Sequence, residues 1–94
     1  MPYTYMLLCA DGTYYTGWTT DLQQRLKTHN NGTGARYTRC RLPVRLVYWE
    51  EQSSRSDAQR REAILRHLRK SIKDQLAATF QKQLTVDSYN TVEN

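Results

Sequence analysis

The chain has 94 residues, of which 38% are hydrophobic, 11% aromatic and 24% charged, which is the composition of one small globular domain. No apolar run approaches the roughly 20 residues of a membrane span. The two cysteines form no Cys-x-x-Cys motif, which excludes a disulfide scaffold and a zinc-ribbon or thioredoxin-type site. This cysteine usage indicates a reduced, cytoplasmic protein.

The positively charged side chains all lie within residues 1–82. The net charge is +5, but residues 1–82 hold all 14 Lys and Arg and seven of the nine acids. Ten of the 14 bases are arginine, whose planar fork binds phosphate in a bidentate manner. Four arginines and Tyr37 lie within residues 36–45, and a second basic cluster occupies residues 60–73. Basic patches with interleaved aromatics are typical of nucleic-acid-binding proteins, although a merely solvated basic surface has the same composition.

The N-terminal third predicts a β-hairpin. Residues 3–9 and 13–18 have strand composition, and Ala10-Asp11-Gly12 between them favours a tight turn. A two-residue turn would place Tyr5 and Tyr15 on opposite faces of the hairpin. A three-residue loop with its glycine in the left-handed conformation would make them diagonal neighbours on one face. We predict the three-residue loop.

A helix is predicted next. Thr20-Asp21-Leu22-Gln23 has the pattern of a capping box, whose first residue caps the helix. The helix runs to about Asn30, and Gly32 stops it. Arg25 and His29 are four residues apart on this helix and therefore lie on the same side.

The second half predicts one more strand and two helices. A flexible loop carries the arginines to Pro43, and residues 44–49 predict a third strand. Residues 53–56 offer N-caps for a long helix that runs to about Lys70, and a short last helix covers residues 72–80.

An apolar stripe at helical spacing runs along these two helices and comprises Ile64, Leu65, Leu68, Ile72 and Leu76. Glu62 lies beside the stripe. Arg61 falls inside it, which we explain by snorkelling. Residues 81–94 are polar and lack a clear period, so a disordered tail is predicted.

Five residues could together serve phosphodiester hydrolysis: Tyr5, Tyr15, Arg25, His29 and Glu62. The reaction needs an oriented water that loses its proton, stabilisation of charge on the phosphate oxygens, and neutralisation of the leaving oxygen. An arginine meets the second need, and one carboxylate with a hydrated Mg²⁺ meets the third. A phenol has an ordinary pKa of about 10, so it acts as a base only if a metal or cation lowers that pKa.

The order of these residues resembles the GIY-YIG nucleases. Tyr3-Thr4-Tyr5 is similar to the family's first motif, and Tyr15-Thr16-Gly17 is similar to the second. Tyr3 stands at the first glycine of the motifs, and Thr4 and Thr16 stand at the isoleucines. The two motif tyrosines and the last glycine are retained.

The resemblance continues beyond the hairpin and covers about residues 3–78. Arg25 occupies the position of the family's helix arginine, with His29 one turn later. Glu62 occupies the position of the family's glutamate on the second long helix. The segment Gly34-Ala35-Arg36-Tyr37-Thr38 resembles the small stand-alone bacterial members.

The resemblance implies an α+β fold for a single nuclease domain over residues 1–80. Its core would be a three-stranded antiparallel sheet that starts with the N-terminal β-hairpin and is flanked by about three helices in the order ββαβαα. The implied activity is that of an endonuclease with one Mg²⁺ or Mn²⁺ ion. Tyr15, helped by Tyr5, would orient or deprotonate water, His29 would relay the proton, and Arg25 would stabilise the phosphate.

Glu62 would then be the metal ligand, and Gly17 would be a structural part of the motif. The residues expected to bind nucleic acid, DNA rather than RNA, are Arg36, Tyr37, Arg39, Arg41, Arg66 and Arg69. Backbone contacts of this kind carry no sequence information, so structure-preferring or non-specific cleavage is expected, in DNA repair or processing. We expect the protein to be a monomer. A protein partner could supply its specificity for a DNA substrate.

Each of these residues also has an ordinary structural interpretation. The two tyrosines could be strand aromatics, His29 could favour a helix dipole, and Glu62 could pair with Arg66 one turn later. A second function therefore stays open, namely a weakly active or inactive nucleic-acid-binding module on the same fold. A protein–protein adaptor is the third and least favoured hypothesis.

Overall fold

The computed structural model describes residues 1–93, with side chains as far as residue 82. The strands are β1 (Tyr3–Leu8), β2 (Tyr14–Thr19) and β3 (Arg45–Glu51), and the helices are α1 (Leu22–Asn30), α2 (Arg36–Arg39), α3 (Arg55–Arg66) and α4 (Lys70–Glu93). The predicted α+β order is confirmed, with one addition. The four-residue α2 lies inside the segment that was predicted to be a flexible loop. In the described part of the chain, no helix has the length and apolar character needed to cross a membrane.

The sheet is antiparallel throughout, with the strand order β2-β1-β3. The hairpin has the predicted three-residue loop, because Leu7 pairs with Tyr15 and the Cys9 amide donates to the Thr13 carbonyl at 2.8 Å. Gly12 adopts φ of 83°, the left-handed conformation that this loop requires. Because the strand order is β2-β1-β3, strand β2 forms one edge of the sheet.

Both faces of the sheet are covered. On one face Tyr5 and Leu7 pack with Leu22 and Leu26 of α1. On the other face Met6 packs with Val47 and with residues of α4. A register shift opposite Met6 and Leu7 makes Val47 an extra residue in β3.

The start of α1 differs from the capping-box prediction by one residue. Asp21, and not Thr20, is the N-cap, and its Oδ1 accepts from the Gln24 amide at 3.1 Å. Aspartate is the better cap because its carboxylate also carries charge at the positive end of the helix. The predicted stop is confirmed, since Gly32 has φ of 79° directly after the last turn.

The break between the last two helices comes earlier than predicted. α3 ends at Arg66 and α4 begins at Lys70, so the break covers residues 67–69. The expected single stripe is wrong in part, because Ile64 and Ile72 are exposed. The break accounts for Ile72, because helical periodicity cannot continue across residues that leave the helix. Ile64 lies inside α3 and is exposed beside the buried Leu65.

The last helix also exceeds the predicted 72–80, since the assigned α4 continues to Glu93. The predicted disorder of residues 81–94 falls almost entirely on positions whose side chains lie outside the described residues. The tail therefore stays a prediction.

Helix α3 is fastened to the sheet at two points. Thr4 Oγ1 donates to the Ala58 carbonyl at 3.0 Å. Arg61 donates from Nε and Nη2 to the two carboxylate oxygens of Glu50 on β3, at 2.7 and 2.8 Å. The snorkelling explanation of Arg61 is therefore wrong, because a bidentate ion pair holds this side chain.

Candidate active site

A buried hydrogen-bonded group lies between β1 and α1. Tyr5 is 1% exposed and His29 is fully buried. The Tyr5 phenol oxygen lies 3.0 Å from His29 Nε2, and Arg25 Nε donates to the same oxygen at 3.4 Å. The structure thus brings together three of the five predicted catalytic residues.

The hydroxyl of Thr38 fixes the tautomer of His29. Thr38 Oγ1 donates its single proton to the Ala35 carbonyl at 2.9 Å, so it must accept from His29 Nδ1, which is also 2.9 Å away. His29 Nε2 then carries the lone pair and accepts the Tyr5 hydroxyl proton. The chain of donors therefore runs from Arg25 through Tyr5 to the imidazole, and the opposite side of that imidazole donates to Thr38.

Burial sets the protonation of this group. Desolvation, helped by the Arg25 charge, lowers the pKa of His29 to about 4. Desolvation also raises the pKa of Tyr5 to about 12, against the opposing hydrogen bond from Arg25. Both side chains are neutral at pH 7, so Tyr5 retains its proton.

Two glycines allow this packing. A Cβ at Gly17 would lie 2.7 Å from the Tyr5 phenol oxygen, and a Cβ at Gly34 would lie 2.6 Å from His29 Nδ1 and 2.9 Å from its Cα. Gly17 was predicted as a structural residue. Gly34 and Thr38 received no role from the sequence, although both lie in the segment that resembles the small bacterial members.

Tyr15 lies at the boundary between the buried group and the surface. Its ring centroid is 6.5 Å from that of Tyr5 and 5.2 Å from that of His29. Its outer side stacks on Tyr37 of α2 at 6.2 Å. The predicted placement of Tyr5 and Tyr15 on one face is confirmed.

An open cleft of about 380 Å³ lies beside the β2 edge, and we call it the Glu62 cleft. Its walls include Tyr15, Thr16, Tyr37, Glu62, Arg66 and Lys73. The Glu62 side chain is 19% exposed and forms an ion pair with Arg66, as the i,i+4 alternative predicted. After desolvation and the Tyr15 charge, the Glu62 charge also contributes to the raised pKa of Tyr5.

The cleft fits a hydrated divalent ion better than a metal cage made only of protein. Within residues 1–82, no group of three or more His, Cys, Asp or Glu could hold a metal. Mg²⁺ usually keeps several waters and binds one or two carboxylates plus substrate phosphates. Glu62 supplies one carboxylate. Thr16 Oγ1, on the same wall, is buried without a hydrogen-bond partner among the described residues.

The predicted nucleic-acid-binding residues divide into two groups. Arg41 is largely occupied, because it pairs with Asp11 at 2.9 Å, donates to the Tyr37 carbonyl and lies 3.9 Å over the Tyr37 ring. Arg39 donates to a backbone carbonyl, and Arg66 is paired with Glu62. The structure leaves Arg36 and Arg69 exposed, with no ion pair to a described residue.

Arg25 does not line the Glu62 cleft. It lines a neighbouring depression of about 260 Å³ with Trp18, Thr19, Thr20 and Arg55, which we call the Arg25 groove. Sequence reasoning missed this groove, because Trp18 and Arg55 lie 37 residues apart and share no motif.

The chain belongs to the GIY-YIG family, since the GIY-YIG catalytic domain matches residues 1–75. Among its relatives, UPF0213 protein CPE1444 of Clostridium perfringens is 45% identical and covers 95% of this chain and 94% of its own. UPF0213 protein SAG0778 of Streptococcus agalactiae is 56% identical over 68% of this chain and 73% of its own.

Two solution NMR structures have a similar fold. The UPF0213 protein BH0048 from Bacillus halodurans is 45% identical, with a TM-score of 0.52 over 84% of this chain and 85% of its own. The protein EF2693 from E. faecalis is 43% identical, with a TM-score of 0.54 over 84% of each chain.

Proposed function

We propose that the protein is a metal-dependent endonuclease that hydrolyses phosphodiester bonds in DNA. We expect it to be structure-preferring or non-specific and to act in DNA repair or processing. The observation that carries the proposal is the shared cleft of Tyr15 and Glu62, which are 47 residues apart in sequence. Family membership supports the same chemistry, because GIY-YIG domains are generally those of endonucleases.

Four residues of the chain have distinct roles in this reaction. Tyr15 faces the cleft, so its phenol oxygen orients the attacking water and would accept the water's proton as the phenolate that a nearby cation stabilises. Tyr5 keeps its proton at neutral pH and holds His29, whose ring packs 5.2 Å from that of Tyr15 and positions it. The expected relay of the proton through His29 would require its hydrogen bond to Tyr5 or to Thr38 to break. Arg25 donates charge-assisted hydrogen bonds to the phosphate from the neighbouring groove.

Glu62 would hold the divalent ion. When bound, Mg²⁺ or Mn²⁺ supplies positive charge that neutralises the leaving oxygen. For this to happen, Arg66 must release the carboxylate and turn its guanidinium, 58% exposed, towards solvent or a substrate phosphate.

The test is an incubation of the protein with nicked, flapped, branched and plain DNA duplexes in Mg²⁺, Mn²⁺ or EDTA. Glu62→Gln should reduce cutting to the EDTA level. Its matched control, Glu51→Gln, removes the same charge from an exposed position on β3 and should cut normally. Tyr15→Phe should slow cutting by about 100-fold or more, whereas Tyr3→Phe should not. Cutting that survives both Glu62→Gln and Tyr15→Phe would refute the proposed site.

A second candidate function is binding without cleavage. The Glu62–Arg66 ion pair favours it, because this cation occupies the carboxylate that a metal would need. A binding module would retain DNA with a steep salt dependence and would not cut in any metal. Glu62→Gln would then bind DNA as well as the wild type.

A further inference from the structure

Of the residues that line the Arg25 groove, Arg25 alone belongs to a predicted site. Two guanidinium groups, Arg25 and Arg55, share it with the indole of Trp18 and two threonine hydroxyls. No carboxylate lines it. The Arg55 guanidinium is exposed and forms no hydrogen bond or ion pair with any described residue, so its charge is available for a ligand.

Helix α3 connects this groove to the Glu62 cleft. Arg55 and Glu62 are seven residues apart, and seven residues bring an α-helix almost back to the same face after two turns. The two side chains are therefore separated by about 10 Å along one face of α3. Arg60 lies roughly 140° away from Arg55 around the helix and points elsewhere.

Strand β2 gives the same spacing independently. Tyr15 lines the Glu62 cleft and Thr19 lines the Arg25 groove, four residues further along the strand. At roughly 3.3 Å per residue this is about 13 Å. Since residues of the edge strand β2 line both depressions, both lie along the same edge of the sheet.

We propose that the Arg25 groove is a subsite that binds the DNA strand about two nucleotides from the phosphate at Glu62. The proposal rests on the nuclease or binding function proposed above and adds a second contact between the protein and the DNA backbone. The rise of about 3.4 Å per nucleotide is measured along the helix axis, and because the backbone also winds around that axis, successive phosphates of one strand lie roughly 7 Å apart, so 10–13 Å corresponds to about two steps. Arg55 binds this second phosphate, Arg25 keeps its proposed role at the phosphate beside Glu62, and Trp18 offers its ring face to an unpaired base.

The test measures the affinity of a fluorescein-labelled nicked duplex by anisotropy in EDTA, with one backbone phosphate at a time replaced by a neutral methylphosphonate on either side of the nick. Arg55→Gln should weaken binding of the unmodified duplex by about 3–10-fold and reduce the log–log salt slope by about one. On one side, neutralising the phosphate about two nucleotides from the nick should weaken binding by the wild type, and Arg55→Gln should be insensitive to this replacement.

Arg60→Gln is the matched control, because it removes the same charge from the opposite side of α3, and it should bind like the wild type. Trp18→Leu provides a second variant, which should weaken binding of a flapped duplex more than binding of the nicked duplex. If Arg55→Gln matches the wild type with every duplex, or if Arg60→Gln weakens binding as much, the subsite is refuted while the nuclease stands on its cutting assay. If the wild type neither binds nor cuts, the proposed function fails and the subsite fails with it.

Discussion

Acid should destabilise this protein through one buried side chain, His29. In the folded protein, desolvation first and the Arg25 charge second lower its pKa to about 4. In the unfolded chain the pKa returns to about 6.5. Between these values the unfolded state binds the extra proton, so the free energy of unfolding falls as pH falls from 6.5 towards 4 and is fully retained above 6.5.

The size of the effect follows from the shift. A pKa difference of roughly 2.5 units limits the total loss to about 3 kcal/mol at low pH. Between pH 7 and pH 5 the expected loss is about 2 kcal/mol, with a slope near 1.2 kcal/mol per pH unit around pH 5.5. The lowered pKa values of Asp11, Asp57 and Asp74 act with the same sign but below this window.

Urea unfolding at half-unit steps from pH 5 to pH 7.5 measures this slope. His29→Gln removes the titrating group, so its curve should be nearly flat over the same range even if its overall stability is lower. NMR titration of the His29 ring in the folded protein gives the pKa directly. Parallel stability curves for the two proteins, or a folded-state pKa near 6.5, would refute the reasoning.

Three further outcomes follow from the packing. Gly17→Ala should cost about 1–3 kcal/mol in urea unfolding, because the new methyl would overlap the Tyr5 hydroxyl, and unchanged stability would contradict the close approach. Arg41→Gln should lower stability by about 0.5–1 kcal/mol, because Arg41 is held in an ion pair and over an aromatic ring. Arg36→Gln should leave stability unchanged, and equal losses in both variants would contradict this difference. Ser54→Ala removes the cap of α3 and should cost about 1 kcal/mol, a loss that Ser54→Asp should largely avoid.

Local chemistry explains why the hairpin and α1 could be predicted. Gly12 is compatible with a left-handed loop position, and that loop fixed which residues of β1 and β2 share a face. Arg25 and His29 were placed on one side of α1 by spacing alone. The cap was misplaced by one residue because the spacing from Thr20 to Gln23 fits a capping box, although Asp21 is the better cap.

The remaining errors concern contacts between distant parts of the chain. Residues 67–69 contain neither glycine nor proline, so nothing in the sequence marks the end of α3. Arg61 seemed misplaced because its partner, Glu50, lies on another element. Gly34 and Thr38 matter only because His29 packs against them. The division of the basic residues into occupied and free groups likewise depends on tertiary contacts.

The bidentate pair between Arg61 and Glu50 has a consequence for the opposite side of the sheet. Arg61 directly precedes Glu62, and its partner belongs to β3, the edge strand farthest from the Glu62 cleft. The contact with β3 therefore restricts rotation of α3 about its own axis. A substitution at Glu50 would change the orientation of Glu62 without any change in the residues that line the cleft. The cleft is therefore sensitive to mutation at the far edge of the sheet as well as in its own walls.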